Sequence, residues 1–178
     1  QRQMCIRDRV NSTLVSNYVQ HIIDSFLISM AKRYDVKGKT YFKYPNKYYY
    51  TDIGLRNARL NYRQYDPGHI MENIIYNELL RRGYSVDVGV VTDRTGGANT
   101  QKEIDFVVND ADKKIYIQSA FQMDADKKES SELASLILTK DFFKKIIVRM
   151  DIPHNFYDDN GIFHCNLIDL LLGRVELF

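Results

Sequence analysis

The sequence is poor in the residues that mark specialised chains. Its two cysteines, Cys5 and Cys165, lie at opposite ends with no CxxC or repeated spacing. That excludes a disulfide framework and points to a reducing cytoplasm. Three prolines and nine glycines are too few for a collagen-like or linker chain. No apolar run approaches the ~18–20 residues of a membrane span, and no basic-then-apolar leader is present. The expectation is a cytoplasmic protein with no membrane partner. The four histidines, His21, His69, His154 and His164, have no metal-ligand spacing, and no Ser-His-Asp or Cys-His arrangement arises. What is there, 44% hydrophobic and 27% charged residues, is too apolar for disorder. A chain of 178 residues also needs no staple to be stable.

The net charge of +2 hides a division. Residues 1–62 carry 11 Lys/Arg against 4 Asp/Glu, and residues 63–178 carry 14 against 19. Tyrosine is skewed the same way, with eight of 13 between Tyr34 and Tyr65. Two functional surfaces are implied. Residues 1–9, Gln1 to Arg9, lack periodicity and an initiating Met and resemble translated sequencing-adapter sequence. They are expected to be non-native and are set aside. The chain is expected to begin inside a longer protein.

Periodicity gives the element order. Ser12 caps a helix over 12–28 with an apolar stripe at Leu14, Val15, Tyr18, Val19, Ile22, Ile23, Phe26 and Leu27, expected to face a core. β-rich pieces follow at 30–34, 40–44 and 47–51, separated by turns at 35–39 and 45–46. This helix-then-basic-hairpin order is that of the end of a winged helix, and Asp52 caps a short helix over 53–60. Pro67-Gly68 breaks the chain. Beyond it come a helix over 69–82 stopped by Gly83, strands at 84–91, 103–108 and 115–118, a helix from 124 or 126 to 138, strands at 145–149 and 161–165, and a last helix over 167–172.

The turn at Ala111-Asp112 places Asp105 opposite Gln118, on one sheet face with Glu103, Val107, Tyr116 and Ala120. Ile104, Phe106, Val108, Ile115 and Ile117 form the other face, which reads as core. Glu72, on the preceding helix, is within reach of the Asp105–Gln118 pair. Gly38-Lys39-Thr40 is not a phosphate-binding loop, because Arg33 stands where that pattern needs Gly and no helix follows. Gly96-Gly97 likewise lacks a following helix. The basic hairpin offers Lys32, Arg33, Lys37, Lys39, Lys43 and Lys47 for phosphates, and Tyr41 and Tyr44, with Tyr48, for stacking or hydrogen bonding. A solvated basic face with half-buried tyrosines explains the same composition.

A helix with Glu, then a hairpin with Asp followed by (Asp/Glu)-x-Lys, is the pattern of PD-(D/E)XK nuclease-like folds. The run Lys47-Tyr48-Tyr49-Tyr50-Thr51-Asp52-Ile53-Gly54-Leu55-Arg56-Asn57, the run from Met71-Glu72-Asn73 to Arg82-Gly83-Tyr84, and Glu103-Ile104-Asp105-Phe106-Val107 together resemble predicted bacterial and archaeal AAA-type ATPases. The resemblance covers about residues 12–173. It implies an upstream P-loop domain that binds ATP, a winged-helix segment over 10–65, and a nuclease-like domain over 66–178. The fold class so implied is mixed α/β, a restriction-endonuclease-like αβββαβ core preceded by a partial winged helix. It also implies that Glu72 and Asp105 hold Mg²⁺, if any metal is held. Gln118 stands where the second acid is expected and Ala120 where the Lys is expected. Lys102 and Lys127 are the donors from elsewhere. Gln is a weaker Mg²⁺ ligand than a carboxylate, and Ala offers no ammonium. The expectation is a degenerate nuclease-like domain, without ATP or hydrolysis of its own, acting as a DNA-binding or coupling module beside its ATPase domain. An active Mg²⁺-dependent nuclease and a protein-interaction or oligomerisation domain are the alternatives.

Overall fold

In a computed structural model, residues 11–43, 45–93, 99–123 and 128–178 are described, with the side chains of 128–132 left aside. The elements are α1 (Ser12–Asp24), β1 (Ile28–Ala31), β2 (Arg33–Asp35), β3 (Thr40–Tyr41), β4 (Lys47–Tyr50), α2 (Ile53–Arg59), α3 (Pro67–Arg81), β5 (Ser85–Asp93), β6 (Thr100–Asp110), β7 (Lys113–Ala120), α4 (Lys128–Ile137), β8 (Lys144–Arg149), β9 (Phe156–Tyr157), β10 (Phe163–Asn166) and α5 (Leu167–Leu171). The class is mixed α/β, as expected. From α3 to β8 the order is α-β-β-β-α-β.

Among the described residues the strands form an eight-stranded sheet, β3-β2-β5-β6-β7-β8-β10-β9, and a separate β1–β4 pair. The sheet is mixed: β5, β6 and β7 are antiparallel neighbours, whereas β7–β8 and β8–β10 are parallel. α3 covers one face, over Phe106, Val108, Ile115, Ile117, Ile146 and Val148. α4 covers the other, where Leu136 joins Ile104, Val107, Tyr116 and Ile147.

Residues 28–50 make one interrupted hairpin. β1 pairs with β4 at its base, and β2 pairs with β3 at its tip. The tip is docked, because β2 runs parallel to β5 with Arg33 opposite Val88. The sheet therefore crosses the boundary expected near residue 65.

Local chemistry explains most helix ends. Asp52 accepts from the Gly54 and Leu55 amides and starts α2. α3 begins at Pro67 rather than His69. Asp66 accepts from the Gly68 and His69 amides, and proline's fixed φ suits the first helical position. Gly83, at φ +86°, ends it. α1 is capped by Asn11, not Ser12. Its apolar stripe forms only as far as Ile23 and buries no residue among those described; Tyr18 is 63% exposed, and Phe26, past the helix end at φ +58°, is 82% exposed. Periodicity told which side is apolar, not what covers it.

The alternation expected along β6 breaks at its middle. Val107 pairs with Asp87 but Ile104 pairs with Gly89, so Asp105 and Phe106 together face Val88. This bulge puts Ile104 on the α4 face, whereas Phe106 and Val108 stay on the α3 face. Gly89 makes room for it: a Cβ there would stand 2.9 Å from Val107 Cγ2 and 3.0 Å from Ile104 Cβ. Gly89→Ala is expected to cost about 1–3 kcal/mol as an overpacking change, read as a lower urea midpoint with an unchanged slope.

Candidate functional site

The bulge builds the site. β6–β7 pairing follows the predicted register from Asp110–Lys113 to Phe106–Ile117 and then stops. Beyond it, side chains replace the ladder. The Asp105 amide donates to Gln118 Oε1 at 3.2 Å, and Asp105 Oδ2 accepts from the Ser119 amide at 2.8 Å and from its hydroxyl at 2.9 Å. Gln118 shares its strand face with Tyr116 and Ala120, which pack in the α4-side core. Asp105 and Gln118 do meet, but Gln118 offers its oxygen to the Asp105 backbone rather than standing beside the carboxylate as a second ligand.

Glu72 lies on the buried face of α3, and Glu103 lies two residues before Asp105. Lys47, from the hairpin, enters between them. Its Nζ lies 2.7 Å from Glu72 Oε1, 2.6 Å from Glu103 Oε1 and 3.9 Å from Asp105 Oδ1. Arg33 Nη2 pairs with the other oxygen of Glu103. Tyr49 donates its hydroxyl to Glu72 Oε1 at 2.6 Å and stacks on Tyr76 with ring centroids 4.0 Å apart. An ammonium thus stands in the cluster although position 120 is Ala. It comes from β4 rather than from Lys102, while Lys127 lies outside the described residues.

The electrostatics follow from burial and charge count. Burial, then the neighbouring Glu72, pushes the Asp105 carboxyl up to about 7, against the pull of Lys47 and Ser119. Desolvation would lower Lys47, but Glu72, Asp105 and Glu103 outweigh it and hold the ammonium well above its usual range. Burial and Glu72 push the Tyr49 phenol far up, so it stays a donor.

A divalent cation does not fit this arrangement. Lys47 already stands among the three carboxylates, and Gln118 is spent on the strand. Among the described residues no three His, Cys, Asp or Glu side chains are placed to hold a metal.

The hairpin cations divide. Arg33 and Lys47, expected on a nucleic-acid surface, instead point into the cluster. Lys32, Lys37, Lys39 and Lys43 are exposed. Tyr41 donates its hydroxyl to buried Asp87 at 2.9 Å. Burial of the hydroxyl and Asp87 push that phenol up to about 12, while the residue as a whole stays 58% exposed. Tyr44 lies outside the described residues. His69 pairs with Asp66 at the start of α3, Nδ1 to Oδ2 2.8 Å.

Beside the cluster lies a cleft of about 580 Å³, lined by β4, α2, residues 63–66 and the start of α3. Sequence reasoning missed it, since its walls come from segments that read as separate short elements. The signal was the tyrosine-rich run itself. Among the described residues no helix is long and apolar enough to cross a membrane.

Two curated proteins resemble this chain. An uncharacterized protein of Haemophilus influenzae is 38% identical over 134 residues, covering 75% of this chain and 31% of the relative. An uncharacterized protein of Methanocaldococcus jannaschii is 26% identical over 121 residues, covering 68% of this chain and 25% of the relative. No family model matches the sequence, and no solved structure matches it. The chain thus spans about a third or less of the length of the curated relatives it matches.

Proposed function

We propose that this chain is a nucleic-acid-binding module with a restriction-endonuclease-like core whose cleavage site has become a latch. It serves as the C-terminal part of a longer AAA-type ATP-binding protein. The observation that carries the reading is Lys47 among Glu72, Glu103 and Asp105, with Arg33 behind it. Side chains of the hairpin occupy the carboxylates of the sheet and helix, and so fix the hairpin to the core. The α-β-β-β-α-β order supports the core assignment, and the much greater length of the relatives supports a longer parent.

With its base latched, the hairpin holds Lys32, Lys37, Lys39 and Lys43 out to solvent on a rigid mount. Phosphate contacts by these lysines give binding that weakens steeply with salt. Lys39→Ala or Lys43→Ala is expected to reduce the slope of log affinity against log salt by about one each, read by fluorescence anisotropy with double-stranded and single-stranded DNA. No binding at low salt would favour a protein-coupling role instead. A second reading, a Mg²⁺-dependent nuclease, is favoured by one observation: Glu72, Glu103 and Asp105 converge on one point, which Lys47 fills here. DNA cleavage in Mg²⁺ or Mn²⁺ that Asp105→Ala abolishes would establish it.

A further inference from the structure

The cleft beside the latch shares Lys47, Tyr49 and Glu72 with it and adds arginines and tyrosines that the latch does not use. We propose that it receives one nucleotide, its phosphate on Arg56 and Arg63 and its base against tyrosine, as the terminal nucleotide of a single strand. This rests on the reading that the chain engages nucleic acid, and it adds a site for the strand end.

Two observations point to phosphate. Arg56 donates Nη1 to Asn57 Oδ1 at 3.0 Å and to the Gln64 carbonyl at 3.3 Å, both neutral partners that orient the guanidinium without cancelling its charge. Among the described residues no carboxylate lies within ion-pair distance of Arg56 or Arg63. Of the acids of the cleft wall, Glu72 is engaged by Lys47, and Asp66 is turned to the Gly68 and His69 amides and the His69 ring. Guanidinium forks suit the oxygens of a terminal phosphate, and Arg56 and Arg63 both line the cleft. Tyr48, Tyr50 and Tyr65, 44%, 37% and 74% exposed, supply ring surface in the same cleft. Stacking on such rings tolerates any base. An acidic peptide would use the arginines and leave the tyrosines idle.

The shape points to an end rather than a passing strand. The volume suits a small ligand and not a duplex. One wall is continuous, because β4 is fastened to α3. Asn73 accepts the Tyr50 amide at 2.8 Å and returns Nδ2 to the Tyr50 carbonyl at 2.7 Å. Asn77 Nδ2 donates to the same carbonyl at 2.9 Å, and Tyr49 is tied to Glu72. The Arg56–Gln64 bond closes the seam between α2 and residues 63–66.

The test is anisotropy in EDTA with short single-stranded oligonucleotides carrying a 5′-phosphate, a 3′-phosphate or only hydroxyl ends, with circular single-stranded DNA and AMP as competitors. One phosphorylated end is expected to bind about tenfold tighter than the hydroxyl end. Arg63→Ala and Arg56→Ala are expected to remove that preference, whereas Lys39→Ala weakens all oligonucleotides alike and keeps it. Circular DNA competing as well as the phosphorylated strand overturns the proposal, as does a preference that survives Arg63→Ala, or a polyglutamate peptide that competes equally. AMP binding that Arg63→Ala abolishes, without strand binding, overturns the strand-end source and the nucleic-acid reading, and assigns the cleft to free nucleotide. Salt-sensitive strand binding with no end preference overturns the cleft proposal alone.

Discussion

Lys47→Met is expected to lower stability by about 2–3 kcal/mol, somewhat less than the ~3–5 kcal/mol of a fully buried broken pair because Lys47 keeps 31% of its side chain exposed. In a domain of this size that is roughly 5–10 °C in Tm. The cost comes from what is left behind. Glu72, 11% exposed, would keep only the Tyr49 hydroxyl among its named contacts, and Glu103 would keep only Arg33. The loss should therefore be non-additive. With Glu72→Gln in place, removing Lys47 should cost less, because one of the stranded charges is already gone, and a double-mutant cycle by urea unfolding measures the difference. A latch also predicts where the damage appears. Amides of β1 and β4 should lose hydrogen-exchange protection before those of β6–β8. An additive cycle, or uniform loss of protection, would mean that Lys47 is an incidental surface ion pair.

Asp105→Asn is expected to make the protein more stable above neutral pH and to flatten its acid-side profile. The folded-state carboxyl is raised to about 7, above the ~3.9 of an unfolded chain. The folded protein then holds the proton more tightly than the unfolded chain, so this group's contribution is most favourable below the unfolded value. It is lost as pH rises through the folded value. Between about pH 4 and 7 the loss is on the order of 4 kcal/mol, at ~1.4 kcal/mol per pH unit. Asparagine cannot ionise, so the variant lacks this slope and is somewhat less stable than the wild type near pH 4, where the amide's poor fit toward Lys47 is not yet offset. At pH 8 a gain of about 1–3 kcal/mol is expected, less than the full term because the amide donates poorly toward Lys47. Unfolding followed from pH 4 to 8.5 reads this out. Equal slopes for the two proteins would show that Asp105 is ionised throughout and held by Lys47.

The sequence carried the local parts of this structure openly. Gly83 ends α3, Asp52 caps α2, and the turn at Ala111, φ +53°, set the β6–β7 register that the strands adopt. Those features depend on near neighbours. The bulge at Asp105–Phe106 was not legible, because it depends on Gly89 in the adjacent strand, and it reassigned Ile104 to the opposite face. Nor was the destination of Lys47 and Arg33, which read as part of a basic run and are drawn inward by Glu72 and Glu103, 25 and 70 residues away. Gln118 and Ala120 stand where the nuclease-like resemblance leads us to expect a carboxylate and a lysine. The ammonium beside Glu72, Glu103 and Asp105 is visible only once the hairpin docks, through β2 on β5, a pairing no periodicity encodes. Glu103 was seen on the right strand but was not given a part in the cluster.

As proposed, the Lys47 cluster fastens the hairpin to the core and does not cut DNA, while the module binds nucleic acid. A gel-shift experiment with end-labelled DNA in Mg²⁺ and Mn²⁺, run with wild-type and Asp105→Ala protein, tests both halves at once. The account predicts a salt-sensitive shift of full-length DNA with both proteins and no shortened product. Shortened DNA from the wild type that disappears with Asp105→Ala would contradict it.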